Sequence, residues 1–293
     1  MTTHTEAEIT SQPDCWRRAV SEVPTDALPQ RGERVAVVGC GTSWFIAQAY
    51  AVLRERAGHG ETDAFAASEF PAGRPYDRVL ALTRSGTTTE VLEVLKDLRG
   101  TTTRTTAVTA SPGTPVMTLA DEIALLDFAD ERSVVQTRFA TTQLALLRSH
   151  LGADLTGAIA DAERALATPL PAGALTAEQF TFLGRDWSYG LALEAALKMR
   201  EACRAWTESY PAMEYRHGPI SIAGPGRITW MLGRSPEGLR GEVEATGGSF
   251  LESSLDPMAE LITIQRVAVA RAHAQGLDPD EPLHLTRSVI LSS

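Results

Sequence analysis

The stretch GLALEAALKMREACRAW carries Glu194, Lys198 and Glu201, at spacings of four and three that an α-helix turns into neighbours on one face. Two carboxylates beside an ammonium could take a proton from carbon and balance the charge that develops. Spacing alone describes an exposed Glu–Lys pair at least as well. Amino-acid usage points the other way, because Lys96 and Lys198 are the only lysines in a chain that otherwise uses arginine. His217, in YRHGPIS, precedes a Gly-Pro turn; a lone histidine is more often structural than catalytic.

Two other stretches could hold an anion. AVVGCGTSW brings Gly39, Gly41, Thr42 and Ser43 to the start of a helical pattern, and LTRSGTTTE does the same with Thr83, Arg84, Ser85, Gly86, Thr87 and Thr88. Glycine lets a ligand approach the backbone, hydroxyls donate hydrogen bonds, and the unpaired N–H groups of a helix start favour negative charge. Neither stretch is a GxxxxGK[ST] phosphate loop, and neither is the GxGxxG of a dinucleotide site. Serine and threonine also cap helices whatever the ligand, so either turn alone is weak, and two on neighbouring strand ends are stronger.

These residues need a frame that ends strands at helix starts. RVAVVGCG, RVLALTRSG, RTTAVTAS and EIALLDF read as strands, SWFIAQAYAVLRERAG and TEVLEVLKDLRG as helices, and TRFATTQLALLRSHLG as a long closing helix. After a Pro/Gly/Ala stretch at 167–173 the rhythm resumes with QFTFLGRD, the helix bearing Glu194, GRITWMLG, PEGLRGEVEATGG and a long terminal helix. Strands alternating with helices predict an α/β fold, parallel sheets flanked by helices in αβα layers. The expected domains are 1–166 and 174–293.

A length of 293 residues suits two such domains. The formal charge of −10 excludes broad electrostatic attachment to nucleic acid. No apolar run approaches a membrane span. The polar start predicts no secretory signal. Cys15, Cys40 and Cys203 lack the spacing of a disulfide framework or zinc site, so a reducing, cytoplasmic setting is expected, with no metal and no cofactor.

GCGTSW, ASEF, LTRSGTTTE and TRFATTQL together resemble the SIS (sugar isomerase) domain family, and the second half resembles the second SIS domain of the isomerase module of glucosamine-6-phosphate synthase. The resemblance runs over nearly the whole chain and implies two SIS domains; the synthase's glutamine-hydrolysing domain finds no counterpart. It implies that Thr42 and Ser43 contact the sugar, that Thr83, Arg84, Ser85 and Thr88 form the phosphate loop, and that Val134 and Thr137 lie beside the ring. Arg84 replaces the usual Gln, either adding charge at the phosphate or pointing to solvent. The second half offers only RSPEG after its corresponding strand, which leaves one phosphate site per chain. Glu201 falls at the carboxylate that moves a proton between C1 and C2, with Glu194 and Lys198 beside it, and His217 at the ring-opening histidine, whose loop is expected to complete the site of a partner in a homodimer. Arg287 replaces the lysine that forms a Schiff base with the ketose, and an arginine cannot form that imine.

What remains is a phosphate cradle, a ring opener and a base near C2. Reprotonation at C1 would make an isomerase or, on glucosamine 6-phosphate, a deaminase. Loss of the C3 hydroxyl would make a dehydratase of N-acetylglucosamine 6-phosphate, the outcome expected here. A non-catalytic sugar-phosphate sensor is the reading from a different class, and retention of Glu201 with His217 disfavours it.

Overall fold

The computed structural model describes residues 2–291. In chain order the elements are α1 (His4–Thr10), α2 (Gln12–Glu22), β1 (Val35–Gly39), α3 (Thr42–Arg56), β2 (Thr62–Ala66), β3 (Arg78–Leu82), α4 (Thr89–Asp97), β4 (Arg104–Thr109), α5 (Val116–Leu119), β5 (Glu122–Leu125), α6 (Arg138–His150) and α7 (Thr156–Ala167). There follow β6 (Gln179–Gly184), α8 (Ser188–Cys203), β7 (Trp206–Pro211), β8 (Arg227–Leu232), α9 (Leu239–Glu244), β9 (Ser249–Glu252) and α10 (Pro257–Ala274). The chain is an α/β protein with two parallel sheets, one ordered β2-β1-β3-β4-β5 and one ordered β7-β6-β8-β9. No helix among the described residues is long and apolar enough to cross a membrane.

The inner strands β1 and β3 are nearly continuous apolar runs and β6 and β8 largely apolar ones, because a parallel sheet is covered on both faces; the inner β4 (RTTAVT) buries threonines among its apolar residues. Val35, Val37 and Val38 of β1, Leu80 and Leu82 of β3, and Phe180 and Phe182 of β6 have no solvent exposure. β2 (TDAFA), β7 (WTESYP) and β9 (SFLE) also lack such a run, and these lie at sheet edges and are only partly buried.

The elements form two compact units. The five-stranded unit comprises Asp14–Glu131, Arg138–Leu155 and Thr286–Ser293, and the four-stranded unit comprises Met1–Pro13, Arg132–Thr137 and Thr156–Leu285. The chain thus contributes to each from several places, and residues 167–173 lie inside the four-stranded unit. The reason is α10, against which α1, α7 and α8 all pack. Asp280 fastens α1 by accepting the N–H groups of His4 at 2.8 Å and Thr5 at 2.7 Å and the Thr5 hydroxyl at 2.6 Å.

Candidate active site

In the five-stranded unit, β1 ends on Gly39, where a Cβ would lie 2.7 Å from the carbonyl carbon and Cβ of Ser43. Only glycine permits that approach, which seats the first turn of α3 directly over the strand end. Gly41 turns the chain at φ +52. Thr42 and Ser43 are therefore held buried at the helix start. Between the glycines, burial and then the charge of Glu90 push the Cys40 thiol up to about 11, so it stays protonated and is no nucleophile.

The turn from β3 to α4 is held as tightly. Gly86, at φ +64, leaves no room for a Cβ, which would lie 2.1 Å from the Thr114 hydroxyl. Its N–H donates to the Thr83 hydroxyl at 3.3 Å, and the Thr87 N–H donates to the Ser85 hydroxyl at 3.3 Å. The Ser85 and Thr87 hydroxyls each donate to the Ser288 hydroxyl at 3.0 Å, and Thr88 Oγ1 lies 3.4 Å from it. The segment after α10 thus returns to this loop: Val289 C=O accepts the Thr89 N–H at 3.2 Å, and the Leu291 N–H donates to the Thr89 hydroxyl at 2.9 Å.

Arg84 does not point to solvent. It is 5% exposed, ion-paired to buried Glu131 at 3.2 Å, and donates to the Arg287 carbonyl at 3.1 Å. The Arg287 guanidinium in turn pairs with Asp130 and reaches the Ser111 hydroxyl at 3.4 Å. The two arginines singled out in the sequence therefore meet in one cluster. Thr87, already part of the hydroxyl-rich stretch read in the sequence, joins it, and Asp130, Ser111 and Ser288, to which the sequence reading assigned no place in the site, complete it. Two adjacent acids at 130–131, in a chain with two out-of-pattern arginines, were the available signal.

In the four-stranded unit, α8 brings Glu194, Lys198 and Glu201 together. Lys198 Nζ lies 2.5 Å from Glu201 Oε2 and 3.4 Å from Glu194 Oε1, and the side chains are 2%, 17% and 0% exposed respectively. An exposed pair is therefore excluded; this is a buried ammonium between two carboxylates, a grouping that survives burial only because the charges offset one another. Glu201 alone keeps access to solvent. Thr137 is buried and borders the same small recess as Lys198, while the Val134 N–H donates to Asp280 C=O at 3.1 Å. His217 is exposed at the end of a short 3₁₀ turn, Glu214–His217.

The loop after β8, Gly233-Arg234-Ser235-Pro236, corresponds in position to Thr83-Arg84-Ser85-Gly86 after β3. Its donors are taken by a carboxylate of its own unit: Glu252 accepts the Ser235 N–H at 2.6 Å and the Ser235 hydroxyl at 3.1 Å, with Arg240 3.2 Å away.

The five-stranded unit is a parallel sheet ordered β2-β1-β3-β4-β5, with glycine-shaped, hydroxyl-bearing turns after β1 and β3. Residues 29–151 match the SIS domain. That SIS match runs from before β1 to the end of α6. Glutamine–fructose-6-phosphate aminotransferase [isomerizing] of Gloeobacter violaceus is 26% identical over 88% of this chain and 52% of its own length. The Sulfolobus acidocaldarius protein of the same name is 26% identical over 87% of this chain and 50% of its own. The chain spans about half the length of the curated relatives it matches. In fold it is similar to the Thermotoga maritima glucosamine-6-phosphate deaminase, with a TM-score of 0.83 and 24% identity over 99% of this chain and 100% of that one.

Proposed function

We propose that this chain is an enzyme acting on a hexosamine 6-phosphate, with proton transfer between C1 and C2 as its central step and release of ammonia from glucosamine 6-phosphate as the outcome. The observation that carries this reading is the buried Glu194–Lys198–Glu201 group with only Glu201 open to solvent. The SIS match of the unit bearing the hydroxyl-rich turns and the isomerizing relatives support it. In this reading Ser85, Thr88 and Thr83 take the phosphate, Thr42 and Ser43 the sugar hydroxyls, and Val134 and Thr137 the edge of the ring.

The chemistry balances without a cofactor. His217 assists opening of the ring to the aldehyde. The C2–H bond breaks, its proton passes to Glu201 and its electrons form a C1–C2 double bond while the aldehyde oxygen gains a proton. Glu201 returns its proton to C1 as the C2 nitrogen loses one, leaving an imine at C2. Water adds there, the C–N bond breaks, and ammonia leaves behind a ketone. Lys198 offsets the negative charge through these steps. Arg287 cannot form an imine with the ketose, which favours hydrolytic release of the nitrogen over its transfer.

The order β7-β6-β8-β9 repeats β2-β1-β3-β4, which supports reading the second half as another SIS-type domain, with 1–166 and 174–293 as the covalent halves. The exposure of His217 supports its service to a second copy in a homodimer.

Glucosamine 6-phosphate, N-acetylglucosamine 6-phosphate and fructose 6-phosphate, each incubated with the protein in deuterated water and followed by mass spectrometry, test the reading. Ammonia release with deuterium in the ketose is expected. Loss of water from the N-acetylated sugar would instead assign dehydration, which begins with the same proton abstraction; binding without turnover would make the chain a sensor.

A further inference from the structure

We propose that Glu8, on α1, is a positioning residue for the reaction: its buried carboxylate sets the backbone that carries Val134 and Thr137, and with it the place of the sugar ring against Glu201. The inference rests on the proposed function and adds to it a residue that acts through its neighbours rather than on the sugar. Residues 132–137 form neither helix nor strand, so no ladder supplies partners for their N–H groups, and other acceptors must fix their shape. Glu8, 3% exposed, is the main one. Its Oε1 accepts the Arg132 N–H at 2.6 Å and the Ser133 N–H at 3.3 Å, and its Oε2 meets the Ser133 hydroxyl, which also lies 2.8 Å from Val135 C=O. The next N–H, that of Val134, goes to Asp280 C=O, and Asp280 is the residue that fastens α1 through His4 and Thr5. Three consecutive N–H groups are thus held by α1 and its anchor.

The buried face of α1 fits this role better than it fits packing. A helix that only packs buries an apolar stripe, whereas two of the three residues that α1 buries, Thr5 and Glu8 beside Ile9, are polar. Gln12, just beyond, is buried as well and donates to Gln265 Oε1 at 2.7 Å. Gln265 in turn lines the recess bordered by Thr5, Thr137 and Lys198. The same polar stripe therefore reaches the ring-edge segment at Glu8 and the side of the reacting group at Gln12. Bonds to a charged acceptor are the stronger kind, which suits a carboxylate to holding two N–H groups and a hydroxyl at once. A misplacement of about 1 Å that originates away from the chemistry can lower a rate roughly 100-fold.

The test compares Glu8→Ala, Glu8→Gln and Glu6→Ala with the unaltered chain. It reads kcat and KM for glucosamine 6-phosphate, or for whichever of the three sugar phosphates the unaltered chain converts, calorimetric affinity for inorganic phosphate, and thermal unfolding. Glu6 closes the capping box of α1 by accepting the Thr3 N–H at 2.8 Å, so Glu6→Ala weakens the helix without touching residues 132–135. Glu8→Ala is expected to lower kcat by about 10- to 100-fold with phosphate affinity unchanged. Glu8→Gln, which keeps an acceptor for the two N–H groups, is expected to restore most of the rate, and Glu6→Ala to keep kcat while its unfolding temperature falls. A folded Glu8→Ala chain with near-normal kcat, or an equal loss of kcat in Glu6→Ala, would overturn the proposal and leave α1 a purely structural helix. Should Glu8→Ala fail to fold, Ser133→Ala carries the test: a smaller loss of kcat is expected, and an unchanged kcat would overturn the proposal. An unaltered chain that turns over none of the sugar phosphates would remove the proposed function, and this role with it, a result distinct from an active chain whose Glu8 variants are unchanged.

Discussion

After β3 the chain reads Thr83-Arg84-Ser85, and after β8 it reads Gly233-Arg234-Ser235. Both strands end on leucine and both are central in parallel sheets of the same order. The helix starts facing them also share a device: Gly39 is pressed against Ser43 and Gly184 against Ser188, each pair four residues apart, with no room for a Cβ. From that shared frame the two units diverge. Ser188 spends its hydroxyl on the Arg185 N–H and the Leu232 carbonyl, both at 2.9 Å, whereas Ser43 makes no hydroxyl bond among the described residues. Ser235 is held by the Glu252 carboxylate, while the Ser85 hydroxyl meets the neutral hydroxyls of Thr87 and Ser288 and the Thr87 N–H. A loop whose donors meet a fixed carboxylate is complete as folded. One whose hydroxyls meet neutral oxygens still has affinity for an anion.

The comparison can be broken most directly at the serines. Ser85→Ala with Thr88→Ala should weaken phosphosugar binding by about 3–6 kcal/mol, at roughly 1.5–3 per charge-assisted bond. Ser235→Ala should leave that binding within about twofold and instead cost roughly 1–3 kcal/mol of stability, since Glu252 loses a partner. Calorimetry and urea unfolding read the two effects, and equal losses of affinity from both loops would end the distinction.

The reacting group comes next. Glu201→Gln keeps the shape of the side chain and removes the proton acceptor, so turnover should fall by roughly 10²–10⁴ with binding retained. Near-normal turnover would move the base elsewhere, with Glu194 the first alternative.

Gly184→Ala should lower stability by about 1–3 kcal/mol through overpacking, because its Cβ would lie 2.4 Å from Ser188 O. Phosphate affinity measured on the folded fraction should not change, whereas Gly39→Ala, by moving Ser43, should reduce both.

The smallest effect is a pH dependence confined to the four-stranded unit. Burial acts to raise the Asp280 carboxyl, but hydrogen bonds from Thr5 and the His4 N–H outweigh it and hold the group below its usual range. Its contribution is therefore present above the ordinary carboxylate range and fades as pH falls through the lowered value. Asp280→Asn should flatten the acid limb of the unfolding curve, and an unchanged limb would show that Asp280 contributes nothing to it.

Much of this frame is legible in the sequence because it rests on local chemistry. VAVVG and RVLAL can only be strands covered on both faces, the glycines mark where helices close over strand ends, and the spacing of Glu194, Lys198 and Glu201 survives as a single helix face. The edge strands β2 and β7 were hidden because half-exposed TDAFA and WTESYP carry no apolar run, whereas the edge strand β5 was legible in EIALLDF. The interleaving of the units was hidden for another reason. It depends on α10 collecting α1 and α7 from distant parts of the chain. The seat of Ser288 on Ser85 joins residues 203 positions apart, a pairing that no periodicity encodes.

Thiol chemistry gives the glycine-bound cysteine a practical meaning. With Cys40 held at about 11, roughly one thiolate in a thousand is present at pH 8. Cys15 and Cys203 are buried. The native chain should therefore react slowly with iodoacetamide. A cysteine introduced as Ser288→Cys would be the fast-reacting thiol, shielded while it sits among the loop hydroxyls and open to the reagent when it leaves them. Its rate of alkylation, with and without phosphate, would report how fully the loop hydroxyls cover that position.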